Sequence, residues 1–220
     1  MRFCCFPYGP LDSNLYTLSG FPSSDKLIVV DPSVSVEKVQ SESFDDRLDL
    51  SCVEAVFITH GHYDHMCFVD EWYEALGGRV PFYLNEKDYA AIKDPKANCS
   101  SDFGMPQTFS FIPEPSFIAG GKTFLDGTVK CRVINTPGHS PGSVCYMFES
   151  LENGEKVMFT GDMLFAGSVG RSDLYGGDMD VMIDSMKILK DMKDDAVVLP
   201  GHGPATSLRK EIRTNPFFRL

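Results

Sequence analysis

Short apolar runs punctuated by turn residues dominate the chain. Val53 to Thr59 reads as a buried strand, and Asn14 to Ser19 alternates loosely. Lys26 to Val30, Val80 to Leu84, Val129 to Asn135, Ser143 to Phe148, Lys156 to Thr160 and Ala196 to Leu199 carry the same strand-like pattern. Asp31-Pro32, Gly77-Gly78, Gly120-Gly121, Asp126-Gly127 and Asn153-Gly154 separate them as turns. Helical spacing is rarer. It predicts helices over Val34 to Gln40, Phe68 to Leu76, Glu86 to Ile92, Asp180 to Met192 (the strongest) and Leu208 to Thr214. Ala97 to Pro115 is polar and proline-containing, and reads as a long loop overhanging a site. No repeat or linker interrupts the pattern. One domain over residues 1–220 is expected, a layered α/β or α+β sandwich.

Composition narrows the class. Apolar residues make up 43% of 220 residues, enough for a buried core. The formal net charge of −11 repels phosphate backbones, so nucleic acid is not an expected partner. The seven cysteines are odd in number and form no C-x-x-C pair, so neither a disulfide framework nor a zinc knuckle is expected. A reducing cytoplasm fits this usage. The start lacks the apolar stretch of a signal peptide, and no window approaches a membrane span. The expected partner is a small molecule, with no nucleic acid and no membrane.

The five histidines carry the most information: His60, His62, His65, His139 and His202 each follow a strand-like run. In His60-Gly61-His62-Tyr63-Asp64-His65, an extended backbone would point His60, His62 and Asp64 one way. A turn into the following helix would then bring His65 alongside. Imidazole and carboxylate suit divalent zinc, iron or manganese. Three more strand ends deliver similar groups: Thr136-Pro137-Gly138-His139-Ser140-Pro141-Gly142, Thr160-Gly161-Asp162 and Pro200-Gly201-His202-Gly203-Pro204. Layered α/β folds commonly assemble sites from such ends.

These motifs, in this order, resemble the metallo-β-lactamase superfamily, and most of all its glyoxalase II-like (hydroxyacylglutathione hydrolase) branch. Asn14-Leu15-Tyr16, Val30-Asp31-Pro32, Gly170-Arg171-Ser172-Asp173 and the tail Glu211 to Phe217 extend the resemblance over nearly the whole chain. The resemblance implies a four-layer αββα sandwich with metals at one edge of two sheets. It implies that His60, His62 and His139 bind a first ion, that Asp64, His65 and His202 bind a second, and that Asp162 bridges both. Two divalent ions, zinc first and iron or manganese as alternatives, would then supply a hydroxide for attack on a thioester, ester or lactone carbonyl. Asp64 would also orient that nucleophile.

The chain also departs from the family. Met66-Cys67 follows His65 where a small residue and glycine are usual. Cys67 is read as a buried structural cysteine ahead of a soft ligand. Only 18 residues follow His202, so the glutathione-holding extension of glyoxalase II has no counterpart. Arg171 is a candidate grip for an anionic substrate such as an anionic thioester, against a structural pairing with Asp173 or Asp178. Tyr175 is a candidate pocket residue. Phe103, Phe109 and Phe111 are candidates for an apolar wall, against plain core. The alternatives to a hydrolase are a mononuclear iron persulfide dioxygenase of the same fold and a non-catalytic metal-binding domain.

Overall fold

The computed structural model describes residues 1–20, 24–42, 48–110 and 122–220. Five strands form one sheet in chain order: β1 (Arg2–Phe6), β2 (Leu15–Ser19), β3 (Leu27–Val30), β4 (Val53–Phe57) and β5 (Phe82–Tyr83). The first two pairings are antiparallel; β3–β4 and β4–β5 are parallel. Helix α1 (Val36–Glu42) lies between β3 and β4 in the chain. The helical turn α2 (Tyr63–Met66) and helix α3 (Val69–Ala75) lie between β4 and β5. The second sheet has six strands: β6 (Lys122–Phe124), β7 (Val129–Asn135), β8 (Val144–Ser150), β9 (Lys156–Gly161), β10 (Val197–Pro200) and β11 (Thr206–Ser207). They too lie side by side in chain order, with only β9–β10 parallel. Helix α4 (Met179–Lys190) is the crossover between these two parallel strands, and α5 (Leu208–Thr214) follows β11.

Three apolar layers hold this arrangement, as the αββα expectation requires. Along β4 and its continuation, Ala55 and Phe57 face the second sheet, while Val56 and Ile58 face α1 and α3. Along β8, Val144, Tyr146 and Phe148 face the first sheet, while Cys145 and Met147 face α4. Both strands are covered on both faces, which is why they read as continuous apolar runs rather than alternating ones. Phe57 centres the middle layer, its ring 4.8 Å from Tyr83, 4.9 Å from Tyr146 and 5.2 Å from Phe148. Such aromatic pairs each add roughly 0.5–1.5 kcal/mol beyond burial.

Most expected elements appear, with instructive differences. Leu208 to Thr214 is helical over the expected span. Helix α4 buries Met182, Ser185, Met186 and Leu189, whereas Val181 and Ile188 of the expected apolar stripe face outward. The expected helix at Glu86 to Ile92 is a 3-10 helix over Glu86–Lys93. Three residues per turn eclipse Asp88 and Ala91, and both pack against Gly61. The expected loop from Ala97 contains a 3-10 turn at Ser100–Phe103. Residues 111–115 of that loop, Phe111 among them, and the Gly120-Gly121 turn lie outside the described residues. Among the described residues no helix is long and apolar enough to cross a membrane. All seven cysteines are free.

At one edge the two sheets are hydrogen-bonded to each other. Val144 N donates to Thr59 O at 3.0 Å, and Tyr146 OH donates to Ile58 O at 3.1 Å. Asn14 Nδ2 and Tyr16 OH donate to Pro200 O at 3.0 and 2.8 Å, and Asn14 N donates to Gly201 O at 2.8 Å. The ends of β4, β7, β9 and β10 all open at this edge.

Candidate metal centre

The seven side chains singled out by sequence meet here. His60 lies in the bend after β4, and His62, in extended backbone, forms the N-terminal boundary of α2. Asp64 and His65 come from that helical turn, so Asp64 is not delivered along an extended strand as spacing suggested. His139 follows β7, Asp162 follows β9 and His202 follows β10. Their donor atoms form three overlapping groups, each within 4.8 Å: His60–His62–His139, His60–His65–Asp162 and Asp64–His65–His202. Asp162 lies between the outer two, 3.5 Å from His139 Nε2, 3.3 Å from His65 Nε2 and 3.5 Å from His202 Nε2. His202 is the most open of them, its side chain 23% exposed, and marks the solvent side.

Hydrogen bonds behind the rings fix which nitrogen faces inward. His139 Nδ1 donates to Arg171 O at 2.6 Å. His65 Nδ1 donates to Asp31 Oδ2 at 3.1 Å. Thr59 Oγ1 donates to that same oxygen at 2.8 Å and accepts from His60 Nδ1 at 3.0 Å. Each bond leaves an Nε2 lone pair aimed at the centre, as a metal-ligating imidazole requires. Asp31 sits at φ +53°, a left-handed conformation that aspartate tolerates, and Thr59 N also donates to it at 2.7 Å. Its place in the Val30-Asp31-Pro32 motif was the only sequence signal for this role. Asp31→Asn is expected to weaken metal affinity about 10–100-fold. A chelator-competition titration measures it; unchanged affinity removes Asp31 from the centre.

The residues fit a cation. Among the described residues the buried His62 Nε2 and Asp162 Oδ1 have no hydrogen-bond partner, which is costly unless something positive sits against them. Gly201 leaves space at the centre: a Cβ there would collide with Asp162 Oδ1 and His65 Cε1.

Without a cation the charges divide unevenly. Burial pushes His62 down to about 3, helped by His139, and holds His60 well below the usual value. Burial also opposes charge on His65 and His202, but Asp64 and Asp162 outweigh it and raise both. Conversely, His65 and His202 overcome burial and lower Asp64 and Asp162. The metal-free centre therefore favours protons on His65 and His202, which a cation must displace. Raised histidines contribute stability in full below about pH 6.5 and lose it as pH rises through the raised values. Metal affinity runs the other way. From about pH 6 to about pH 8, the metal-induced rise in Tm should grow and binding should release protons. Calorimetry in buffers of different ionisation enthalpy reads that release; pH-independent affinity contradicts this charge division.

The remaining candidates divide. The Arg171 guanidinium is exposed and paired with Asp173, Nε to Oδ1 at 2.6 Å, one of the two structural pairings foreseen. Its backbone does more at the centre: Arg171 O anchors His139, and the neighbouring Gly170 N donates to Asp162 O at 2.9 Å. Tyr175 is exposed. Phe109 belongs to the core beneath α3, whereas Phe103 is exposed, its ring 5.6 Å from that of Tyr63. Cys67 Sγ donates to Ser33 O at 3.3 Å, and burial pushes its thiol up to about 12. It joins none of the metal-capable groups among the described residues. Asp88, another carboxylate sequence reasoning missed, is buried and bonded to the loops of His60 and His139.

Known proteins resemble this chain in sequence and fold. The chain is 32% identical over 191 residues to the hydroxyacylglutathione hydrolase GloC of Haemophilus influenzae, covering 86% of this chain and 85% of that protein. It is similar to the crystal structure of BLEG-1 B3 metallo-beta-lactamase, with TM-score 0.79, 32% identity and coverage of 98% and 99%. It is also similar to TTHA1623 in a di-iron-bound form, with TM-score 0.74, 31% identity and coverage of 97% and 99%. The profile of the metallo-beta-lactamase superfamily matches residues 8–202, from the loop before β2 through the last histidine of the cluster. With that span, this fold and this His/Asp cluster, the chain belongs to the metallo-beta-lactamase superfamily.

Proposed function

We propose that the chain is a dinuclear metal-dependent hydrolase of thioester, ester or lactone carbonyls, close in chemistry to hydroxyacylglutathione hydrolases. One observation carries this reading: two three-residue donor groups, His60–His62–His139 and Asp64–His65–His202, with Asp162 between them. The likeness to GloC supports the thioester class. Two divalent ions held there would supply a hydroxide nucleophile at neutral pH and a Lewis acid for the carbonyl oxygen. Zinc suits the donor set, and the di-iron form of TTHA1623 keeps iron beside it.

The chain's own residues have separable tasks. His60, His62 and His139 would hold one ion through their inward-facing imidazole nitrogens. Asp64, His65 and His202 would hold the other, with Asp162 placed between the two sets. Asp64, with Oδ2 3.3 Å from His202 Nε2, is the carboxylate assigned to orient the nucleophile. No serine or cysteine nucleophile is needed. A small-molecule substrate would enter past His202, where the centre is most open.

Metal analysis of protein purified without added metal, paired with a panel of thioesters, tests the proposal. About two ions per chain and thioester turnover without oxygen are expected. A single iron with oxygen uptake on a glutathione persulfide favours the dioxygenase instead. Inactivity with every metal favours a binding domain. The likeness to BLEG-1 supports a second reading, lactam hydrolysis by the same centre, which a chromogenic cephalosporin in the panel reads directly.

Arg171 gives a smaller test. Its exposed pair with Asp173 must open before it can grip a substrate anion. Arg171→Ala should therefore raise KM for anionic thioesters only about two- to fivefold and leave neutral esters unchanged. An equal rise for both classes excludes a charge-specific grip.

A further inference from the structure

Asp88 is 3% exposed, yet the reaction outlined above gives it no task. Its side-chain partners are informative. Oδ2 accepts from Gly61 N at 2.8 Å and from Ser140 Oγ at 2.6 Å, and Oδ1 accepts from Gly142 N at 2.6 Å. Gly61 stands between His60 and His62, and Ser140 directly follows His139. One buried carboxylate therefore ties together the two loops that carry these three histidines. Hydrogen bonds to an ionised acceptor are among the stronger ones. The packing also leaves no slack. A Cβ on Gly61 would lie 3.0 Å from Asp88 Cβ, and a Cβ on Gly142 would lie 2.6 Å from Asp88 Cγ. Ser143 Oγ, 2.7 Å from Ser140 Oγ, holds the serine in place.

The other half of the centre hangs on different supports. Ser13 Oγ donates to Asp64 O at 2.7 Å. Asn14 Nδ2 donates to Pro200 O at 3.0 Å and to Gly203 O at 3.1 Å, on either side of His202. Asp31 serves both halves through Thr59 and His65, whereas each hydrogen bond of the Asp88 carboxylate runs to the first half.

We propose that Asp88 is a positioning residue that assembles the three-histidine half of the centre, His60, His62 and His139, independently of the Asp64–His65–His202 half. The proposal rests on the two-ion reading and deepens it: the two ions are expected to load and leave separately.

Asp88→Asn keeps the shape but turns an amide N–H₂ towards donors. After dialysis against a chelator, the variant should retain one ion per chain where the wild type retains two. Affinity for the weakened ion should fall about 10–100-fold, the usual effect of losing a group that orients a ligand. Cobalt titration should lose the absorption of the three-histidine half and keep that of the other. Asn14→Ala should give the mirror result. Ser140→Ala removes one of the three hydrogen bonds to Asp88, together with the contact to Ser143 Oγ, and provides the same readout if Asp88→Asn melts too low to study. Ring resonances of the five histidines in metal-free protein give a measure independent of ion count. In Asp88→Asn, His60, His62 and His139 should shift or broaden while His65 and His202 stay. Loss of both ions together, loss of neither, or equal movement of all five rings overturns the proposal. A wild type that binds a single ion would defeat the two-ion reading, and the ring resonances would still decide the role of Asp88.

Discussion

Asp162→Ala should yield a folded protein that retains neither ion and hydrolyses no thioester. The carboxylate lies between both donor sets, near His65, His139 and His202. On the proposed two-ion reading, removing it deletes a ligand from each half and one of the two negative charges that offset the ions. It also removes a counter-charge that raises His65 and His202. The fold should tolerate the change. The backbone of Asp162, not its side chain, accepts from Gly170 N, and the turn after β9 is closed by Met163 N donating to Thr160 O at 3.0 Å. Metal content by atomic spectroscopy and thioester turnover are the measurements, with the far-ultraviolet spectrum as the folding check. One ion retained with measurable turnover would mean that Asp162 serves a single half and that the centre is not bridged.

The sequence reading reached the seven cluster residues because each is a ligand-type side chain at a strand end, and strand ends are legible. Val53 to Thr59 and Ser143 to Phe148 are apolar enough to be read without alternation, and the glycine–proline turns after them mark where they stop. The supports of the cluster were not legible in the same way. Asp31 acts on Thr59 across 28 residues, and Asp88 acts on Gly61 across 27. Within Asn85-Glu86-Lys87-Asp88 nothing in a single sequence separates the buried carboxylate from the solvated Glu86 beside it. The 3-10 winding carries Asp88 against Gly61, a contact between distant residues that no local pattern announces. Strands β6 and β11, three and two residues long, are too short to show a period. Strand β1 was missed for another reason. It is an edge strand exposed along most of its length, so Arg2-Phe3-Cys4-Cys5 carries no buried face to betray it. Arg171 shows the converse error of emphasis. Its guanidinium drew attention as a charge, while the structure gives its backbone carbonyl the closer link to the centre.

Gly201→Ala should match Asp162→Ala in lost metal and activity, although it removes no ligand. Its φ is not in the left-handed range, so alanine meets no backbone strain there. The obstacle is space: the new Cβ would collide with Asp162 Oδ1 and His65 Cε1, and would lie 3.0 Å from Gly161 C. The backbone cannot retreat. Gly201 N donates to Gly161 O at 2.9 Å, and Gly201 O accepts from Asn14 N at 2.8 Å. The side chains must move instead, and they are the proposed bridging ligand and a ligand of the second half. Overpacking of this kind costs roughly 1–3 kcal/mol, which should appear as a lowered Tm in the metal-free protein. Gly203→Ala supplies the contrast two residues on. There φ is +74° and nothing lies within 4 Å of the added carbon. That change should cost about 1–2 kcal/mol of backbone strain and leave both ions in place. If the two variants lose metal equally, the loop answers to strain rather than to the volume of the centre. If only Gly201→Ala does, the glycine is there because the space over Asp162 and His65 belongs to the ions.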